Sequence, residues 1–250
     1  MKASIAELAR LPGVWRGGDL EHSSHPSIAT GHARLDAELP GRGWPTGTLS
    51  EVLHDGEGIG EITFLAAALA CATEGARLVA WVNPPYLPYA PALAQAGIPL
   101  ERCLVVKPAN RDDALWSAEQ ALKSGACGAV LLWLGEEGGA RRHDEYAWLR
   151  RLQMAAASGR AMAIHFRSTA AEGLSTPAHL RVVLSRERGA LQVRIPKRRG
   201  PPLTQPVSLA VGVVGSHPLP GEREKLFPLP WEGAGGGSPA PEPRLHLLSH

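Results

Sequence analysis

The chain predicts an α/β fold: a mostly parallel central sheet flanked by helices, ending in a C-terminal β-hairpin and a disordered Pro/Gly-rich tail. Three observations carry this. From Thr30 to about Val211, apolar runs of strand length alternate with helical patterns, as βαβ units do. One of those runs, AVLLWL at 129–134, is apolar at every position, the pattern of a strand buried on both faces. Beyond Pro201 the composition shifts: ten of the last fifty residues are Pro and seven are Gly. Such a stretch buries too little apolar surface to offset its ordering entropy.

Each element has a local reason. Residues 3–11 form a short amphipathic stretch (Ile5, Leu8, Leu11) broken by Pro12–Gly13, and a Ser/His/Pro-containing linker follows to about Ile28. Leu49–Leu53 reads as a strand, and the Ala/Leu-rich run Phe64–Thr73 as a buried helix. Arg77–Val82 is a strand stopped by Asn83, Pro84 and Pro85. A helix over 91–96 and a strand over 103–107 come next. Residues 112–124 are helical, with Asp112 and Asp113 suited to the first turn, Lys123 near the last, and Gly125 just beyond. The 129–134 strand, a helix over 144–158 and a strand over 161–166 complete the alternation. Leu180–Leu184 and Leu191–Ile195, joined through Gly189, read as the hairpin. The expected organisation is an arm and linker (1–28), a core (29–211) and a tail (212–250).

The bulk numbers exclude more than they assign. A net charge of +2 over 250 residues is too small to argue for nucleic acid, so only a local cluster can. Cys71, Cys103 and Cys127 sit in apolar surroundings without a C-x-x-C, and are expected to be buried structural thiols of a reducing compartment. The N-terminus lacks the apolar core of a signal peptide, and the longest apolar run, 64–72, is far below the ~20 residues of a membrane span. A soluble, cytoplasmic protein with no membrane partner is expected.

Residues 54–64, HDGEGIGEITF, stand where a phosphate-binding loop would: after a strand and before a helix. A working loop reads G-x-x-x-x-G-K-[ST], its backbone N–H groups wrapping phosphate, its Lys reaching the β/γ-phosphates and its hydroxyl holding Mg²⁺. Gly56, Gly58 and Gly60 permit a tight turn, but Glu61 replaces the Lys and Ile62 the hydroxyl. A metal-organising Asp would close the 129–134 strand, where Trp133 stands instead. A carboxylate to activate water would follow the 77–82 strand, which ends in Asn83 and prolines. Nearly every part that makes phosphoryl transfer fast is therefore missing. The sequence predicts no catalytic residue, no metal site and no cofactor; a residual ATPase would have to recruit Glu136 or Glu137 for its metal.

The stretch 30–51, TGHARLDAELPGRGWPTGTLSE, resembles the segment leading into the ATPase core of RecA recombinases. Thr30, Gly31, Leu35, Asp36, Leu39, Gly43, Pro45, Gly47 and Glu51 match that pattern without a gap. A fuller resemblance, over roughly 12–205, is to ImuA, the RecA-like and SulA-like family of bacterial DNA-damage mutagenesis cassettes. VWRGG, GHARLDAELPGRGWP, YLPYAPAL, DALWSAEQALKSGACGAVLLW, RRLQMAAASGRA and the KRRG turn carry it. The resemblance implies a RecA-like core acting without catalysis in SOS-induced translesion synthesis. Its implied partners are an ImuB-like Y-family polymerase homologue and an error-prone C-family DNA polymerase, with single-stranded DNA and RecA as further candidates. A SulA-like inhibitor of a tubulin-like cell-division GTPase and a weak DNA-dependent ATPase are the alternatives.

Two surfaces remain as candidate contacts. Residues 181–199 hold seven basic side chains and one acid, with Arg194, Lys197, Arg198 and Arg199 toward the end. Such a stripe suits a phosphate backbone, a partner's acidic surface, or simply a solvated sheet edge. Arg167 opens the segment 168–177, which replaces the long DNA-binding loop of RecA and has no aromatic or basic cluster. In the tail, Leu226, Phe227 and Trp231 form an apolar island suited to a partner or to folding back on the core. Trp148 is expected in the core, and His143 and His165 as ordinary histidines.

Overall fold

A computed structural model describes residues 26–56, 58–135, 142–200, 203 and 205–210. The arm apart from 26–28, Glu136 and Glu137, and the tail island at Leu226, Phe227 and Trp231 lie outside these residues.

A two-stranded antiparallel ribbon opens the described chain: β1 (Ser27–Ile28) pairs with β2 (Trp44–Pro45) around the short helix α1 (Ala33–Asp36). Then come β3 (Thr48–Leu53), α2 (Glu61–Ala72), β4 (Leu78–Val82), α3 (Ala90–Gln95) and β5 (Cys103–Val106). They are followed by α4 (Arg111–Lys123), β6 (Cys127–Trp133), α5 (Arg142–Gly159) and β7 (Met162–Arg167). The chain then forms β8 (Leu180–Glu187), β9 (Ala190–Lys197) and β10 (Val207–Leu209).

The main sheet runs β10–β9–β8–β3–β7–β6–β4–β5. From β8 to β5 every pairing is parallel, while β9 lies antiparallel to both β8 and β10. The C-terminal ends of β3, β4, β6 and β7 therefore open on one side of the sheet, where ligands of open α/β sheets bind.

The alternation of side chains along each strand divides the core into two layers. On one face Phe64, Leu65 and Leu69 of α2 pack with Leu35, Trp44, Val52, Trp81 and Leu131. On the other, α4 and α5 bring Ala118, Leu122, Leu149 and Leu152 onto Leu49, Val82, Val130 and Ala163. Each large apolar side chain so buried contributes about 1.5–3 kcal/mol of transfer free energy. Local signals agree with this packing. The Asn110 side chain accepts from Asp113 N–H at 2.9 Å, capping α4, and Gly60 takes a left-handed conformation (φ 101°) before α2.

Three expectations need correction. Helix α2 starts at Glu61, three residues before the expected Phe64, because the Gly60 turn lets the helix begin at once. Strand β10 lies inside the Pro-rich stretch expected to be largely disordered; Val207 and Leu209 are buried and pair with Val193 and Leu191 of β9. Cys71, expected to be buried, is exposed on α2, whose packed face is carried by Ala68, Leu69 and Ala72.

Candidate functional site

The segment between β3 and α2 is a glycine-rich turn. Gly56, Gly58 and Gly60 all have positive φ (75°, 68° and 101°), and a Cβ on Gly56 or Gly58 would meet nothing within 4 Å. One of its N–H groups and two of its carbonyls are engaged by the protein itself. The Gly60 N–H donates to the Glu61 carboxylate at 3.1 Å, so an acidic side chain stands at the amide facing α2's N-terminus. The Ile59 carbonyl accepts from Arg186 Nη1 at 2.9 Å, and His54 Nδ1 donates to the Gly56 carbonyl at 2.9 Å.

Asp55 ties this loop to the turn after β7. It accepts from the Ser168 hydroxyl at 2.9 Å, from Thr169 N–H at 3.0 Å, and from the Thr169 hydroxyl. The Thr169 and Ser168 hydrogen bonds hold the Asp55 carboxyl below its usual pKa. An Asp at this position adds negative charge beside the loop, in the same sense as Glu61.

Trp133, at the end of β6, belongs to an aromatic stack. Its ring lies 4.3 Å from Phe166 of β7, nearly parallel (4°), and 6.2 Å from Trp81 of β4 (7°). His54 of the loop meets Phe166 edge-on at 5.9 Å. Rings therefore fill the layer where a metal-organising carboxylate was looked for. At the end of β4, Asn83 has a left-handed backbone (φ 55°) and donates its side-chain N–H to the Trp133 carbonyl at 3.0 Å. Its backbone N–H donates to Val106 O at 2.9 Å. Asn83 thus joins β4, β5 and β6 at their C-terminal ends. Among the described residues no group of three His, Cys, Asp or Glu is placed to hold a metal ion.

Beneath this site, on the α4/α5 face, lies a charged network that sequence reading missed. Glu51 on β3 is fully buried and bridges two arginines: Arg167 Nη1 at 2.8 Å, and Arg181 through Nε at 2.8 Å and Nη2 at 2.7 Å. Arg167 also pairs with Glu145 of α5, and Arg181 donates to the carbonyls of Glu172 (2.6 Å) and Leu174 (2.9 Å). Burial pushes the Glu51 carboxyl up, but the Arg167 hydrogen bond and the Arg181 charge outweigh it and hold its pKa below the usual value. His165, opposite Glu51 in the β3–β7 register, is buried with neither ring nitrogen hydrogen-bonded. Burial drives its pKa down to about 4 against the attraction of Glu51. Trp148 is buried as expected, edge-on to His165 at 5.3 Å, with Arg111 over its ring at 5.2 Å. The match of Glu51 to the RecA-like pattern was the only signal that this position is special.

The basic residues of the hairpin are drawn into local structure. Arg194, half exposed, makes a two-pronged pair with Glu172 at 2.7 and 2.8 Å. Lys197 Nζ donates to Thr176 O at 2.6 Å. With Arg181 they fasten the 168–178 connection onto β8 and β9. The Arg198 side chain is 4% exposed and its guanidinium meets Glu38 at 3.4 Å, while Arg199 lies 3.5 Å from His179. Arg167 is in the buried network, so these five residues do not form one open stripe.

Among the described residues no helix is long and apolar enough to cross a membrane. Residues 47–163 match the family model of cell division inhibitor SulA. The match begins just before β3 and ends inside β7, so it covers the glycine-rich loop, Asn83 and Trp133 and leaves the hairpin outside.

Proposed function

We propose that the protein is a non-catalytic accessory factor of SOS-induced translesion synthesis, whose RecA-like core presents surfaces to other proteins. The observation that carries the loss of catalysis is the Glu61 carboxylate on the Gly60 N–H. A negative group at that amide opposes a polyphosphate by both charge and occupancy. The stack through Trp133 supports the same reading, since rings offer no ligand to a magnesium ion. The role in translesion synthesis, with an ImuB-like polymerase homologue and a C-family polymerase as partners, rests on the ImuA resemblance of 12–205.

Equilibrium binding of a fluorescent ATP analogue with Mg²⁺ tests the non-catalytic part. The wild type is expected to give no signal, and the Glu61→Lys/Ile62→Thr double variant to gain one. Micromolar binding by the wild type would refute it. Co-expression with the ImuB-like partner tests the second part: a co-purifying complex is expected, and separate elution of two folded proteins counts against it.

The SulA match favours a second reading, an inhibitor of a tubulin-like cell-division GTPase. Polymerisation of that GTPase in the presence of stoichiometric protein separates the two: inhibition supports this reading, and unaffected assembly the first.

A further inference from the structure

The two edges of the main sheet are finished differently. Strand β10 is three residues long, and Arg34 donates to its Ser208 carbonyl at 3.2 Å. At the other edge, and among the described residues, β5 pairs with β4 alone. Helices α2 and α4 lie over β6 and β4, so the sheet overhangs them here and leaves Leu104 and Val106 half-buried. Residues 103–106 hold no Pro, charge or bulge, the devices that usually blunt an open edge.

The free backbone groups follow from the ladder. The Val106 carbonyl accepts from Asn83 N–H at 2.9 Å, so Val106, and by alternation Leu104, face β4. Cys103 and Val105 face away from the sheet. The Cys103 N–H is taken by the Leu100 carbonyl of the 3-10 turn before the strand. Cys103 C=O, Val105 N–H and Val105 C=O are left open, with Lys107 N–H next in the alternation. Charge marks the two ends: exposed Glu101 precedes the strand and exposed Lys107 follows it. Burial raises the pKa of the Cys103 thiol and the Glu101 charge adds to it, so that carboxylate stands on the Cys103 face. Lys107 shares this face by strand alternation.

We propose that β5 pairs antiparallel with β5 of a second copy about a two-fold axis at Val105, joining two eight-stranded sheets into one. In this register each Val105 N–H donates to the other copy's Val105 carbonyl, and each Lys107 N–H to the other copy's Cys103 carbonyl. Every open group on the edge is then used. Leu104 falls opposite the second copy's Val106, in the closer type of cross-strand pair, and both half-buried side chains are covered. Lys107 falls opposite Cys103 and diagonal to Glu101, once on each side of the axis. This order of charge selects the occupant. Acid at the start and base at the end complement themselves only when the strands run antiparallel, as a two-fold axis requires. A parallel neighbour would set acid beside acid.

The test is sedimentation velocity of the full chain from about 1 to 200 µM, a range suited to an interface this small. Amide exchange at Val105 and Lys107 is read by NMR over the same series. A monomer–dimer equilibrium is expected, with protection of both amides rising with the dimer fraction. Lys107→Glu sets acid beside acid on each side of the axis and should weaken the dimer by about tenfold. Glu101→Lys/Lys107→Glu restores the complement and should recover the affinity. Both positions are exposed, so neither variant should change the melting temperature. A monomer across the whole range, a dimer indifferent to Lys107→Glu, or no recovery in the swap would each overturn the pairing. Full protection of the Val105 amide in the monomer would overturn it too, by showing that another segment of the same chain covers the edge.

Discussion

Glu51 and His165 face each other across β3 and β7, and their environments set opposite demands. Glu51 is charged in the fold because two guanidiniums surround it. Removing that charge leaves both arginines buried beside a neutral group, so Glu51→Gln is expected to cost about 3–5 kcal/mol in denaturant unfolding. A loss under ~1 kcal/mol would show that the arginines find other acceptors. His165 is neutral in the fold, because burial drives its pKa from 6.5 to about 4. Below pH 6.5 the unfolded chain binds a proton that the folded one refuses. Stability is therefore fully present above ~6.5 and is lost as pH falls toward ~4, by on the order of 3 kcal/mol in total. His165→Leu has similar bulk and no unpartnered ring nitrogen, so it should be neutral or stabilising at pH 7 and should remove most of the pH 4–6.5 loss, leaving the part due to His32, which burial also lowers. Persistence of that loss in the variant would place the titrating group elsewhere. Neither partner's role was legible in the sequence: a Glu inside a strand and a lone His carry no local mark of the register that opposes them.

At the scale of elements, the helices sit where the strands leave no room for a side chain. A Cβ on Gly128 of β6 would come 1.8 Å from the carbonyl oxygen of Ala72 at the end of α2. One on Gly159, at the end of α5, would come 1.7 Å from the carbonyl oxygen of Leu122 in α4. Backbone cannot swing aside as a flexible side chain does, so Gly128→Ala and Gly159→Ala should each cost about 1–3 kcal/mol through forced helix displacement. Thermal unfolding checks this, with Gly125→Ala as the comparison for a glycine whose Cβ has open space but whose φ is 70°. If Gly128→Ala proves no worse than Gly125→Ala, the close approach is not what Gly128 is needed for. The elements themselves were largely legible: the strands from β3 to β9 and the helices α2 to α5 fall within a few residues of their expected bounds. Alternating apolar runs and turn residues are local signals, and the sheet leaves them intact. Strand β10 and the β1–β2 ribbon escaped because they are only three and two residues long and are held by their partners. The turn before α2 was legible through its glycines, whereas Glu61's hold on Gly60 and the Trp81–Trp133–Phe166 stack needed coordinates.

For the molecule as a whole, the end of the sheet that holds the glycine-rich loop also carries an exposed apolar stretch. Between β4 and α3 the chain reads Pro84–Pro85–Tyr86–Leu87–Pro88–Tyr89, with Leu87 54% and Tyr89 65% exposed. Three prolines fix φ along this loop, so its side chains are presented with little conformational entropy left to lose on binding. Tyrosines held on a proline-stiffened loop are of the type enriched at interface hot spots. The pocket at the opposite end, with Arg199 on its wall, gives the molecule a second and electrostatically different face. The two should respond differently to salt. Leu87→Ala/Tyr89→Ala is expected to weaken the complex with a co-purifying partner by 2–4 kcal/mol, about 30- to 1,000-fold, with no change in its salt dependence. These side chains contribute little to the core, so the variant should melt as the wild type does. If affinity is unchanged and the complex instead dissociates on raising salt from 50 to 200 mM, the partner is held through the basic corner and the loop is spare surface.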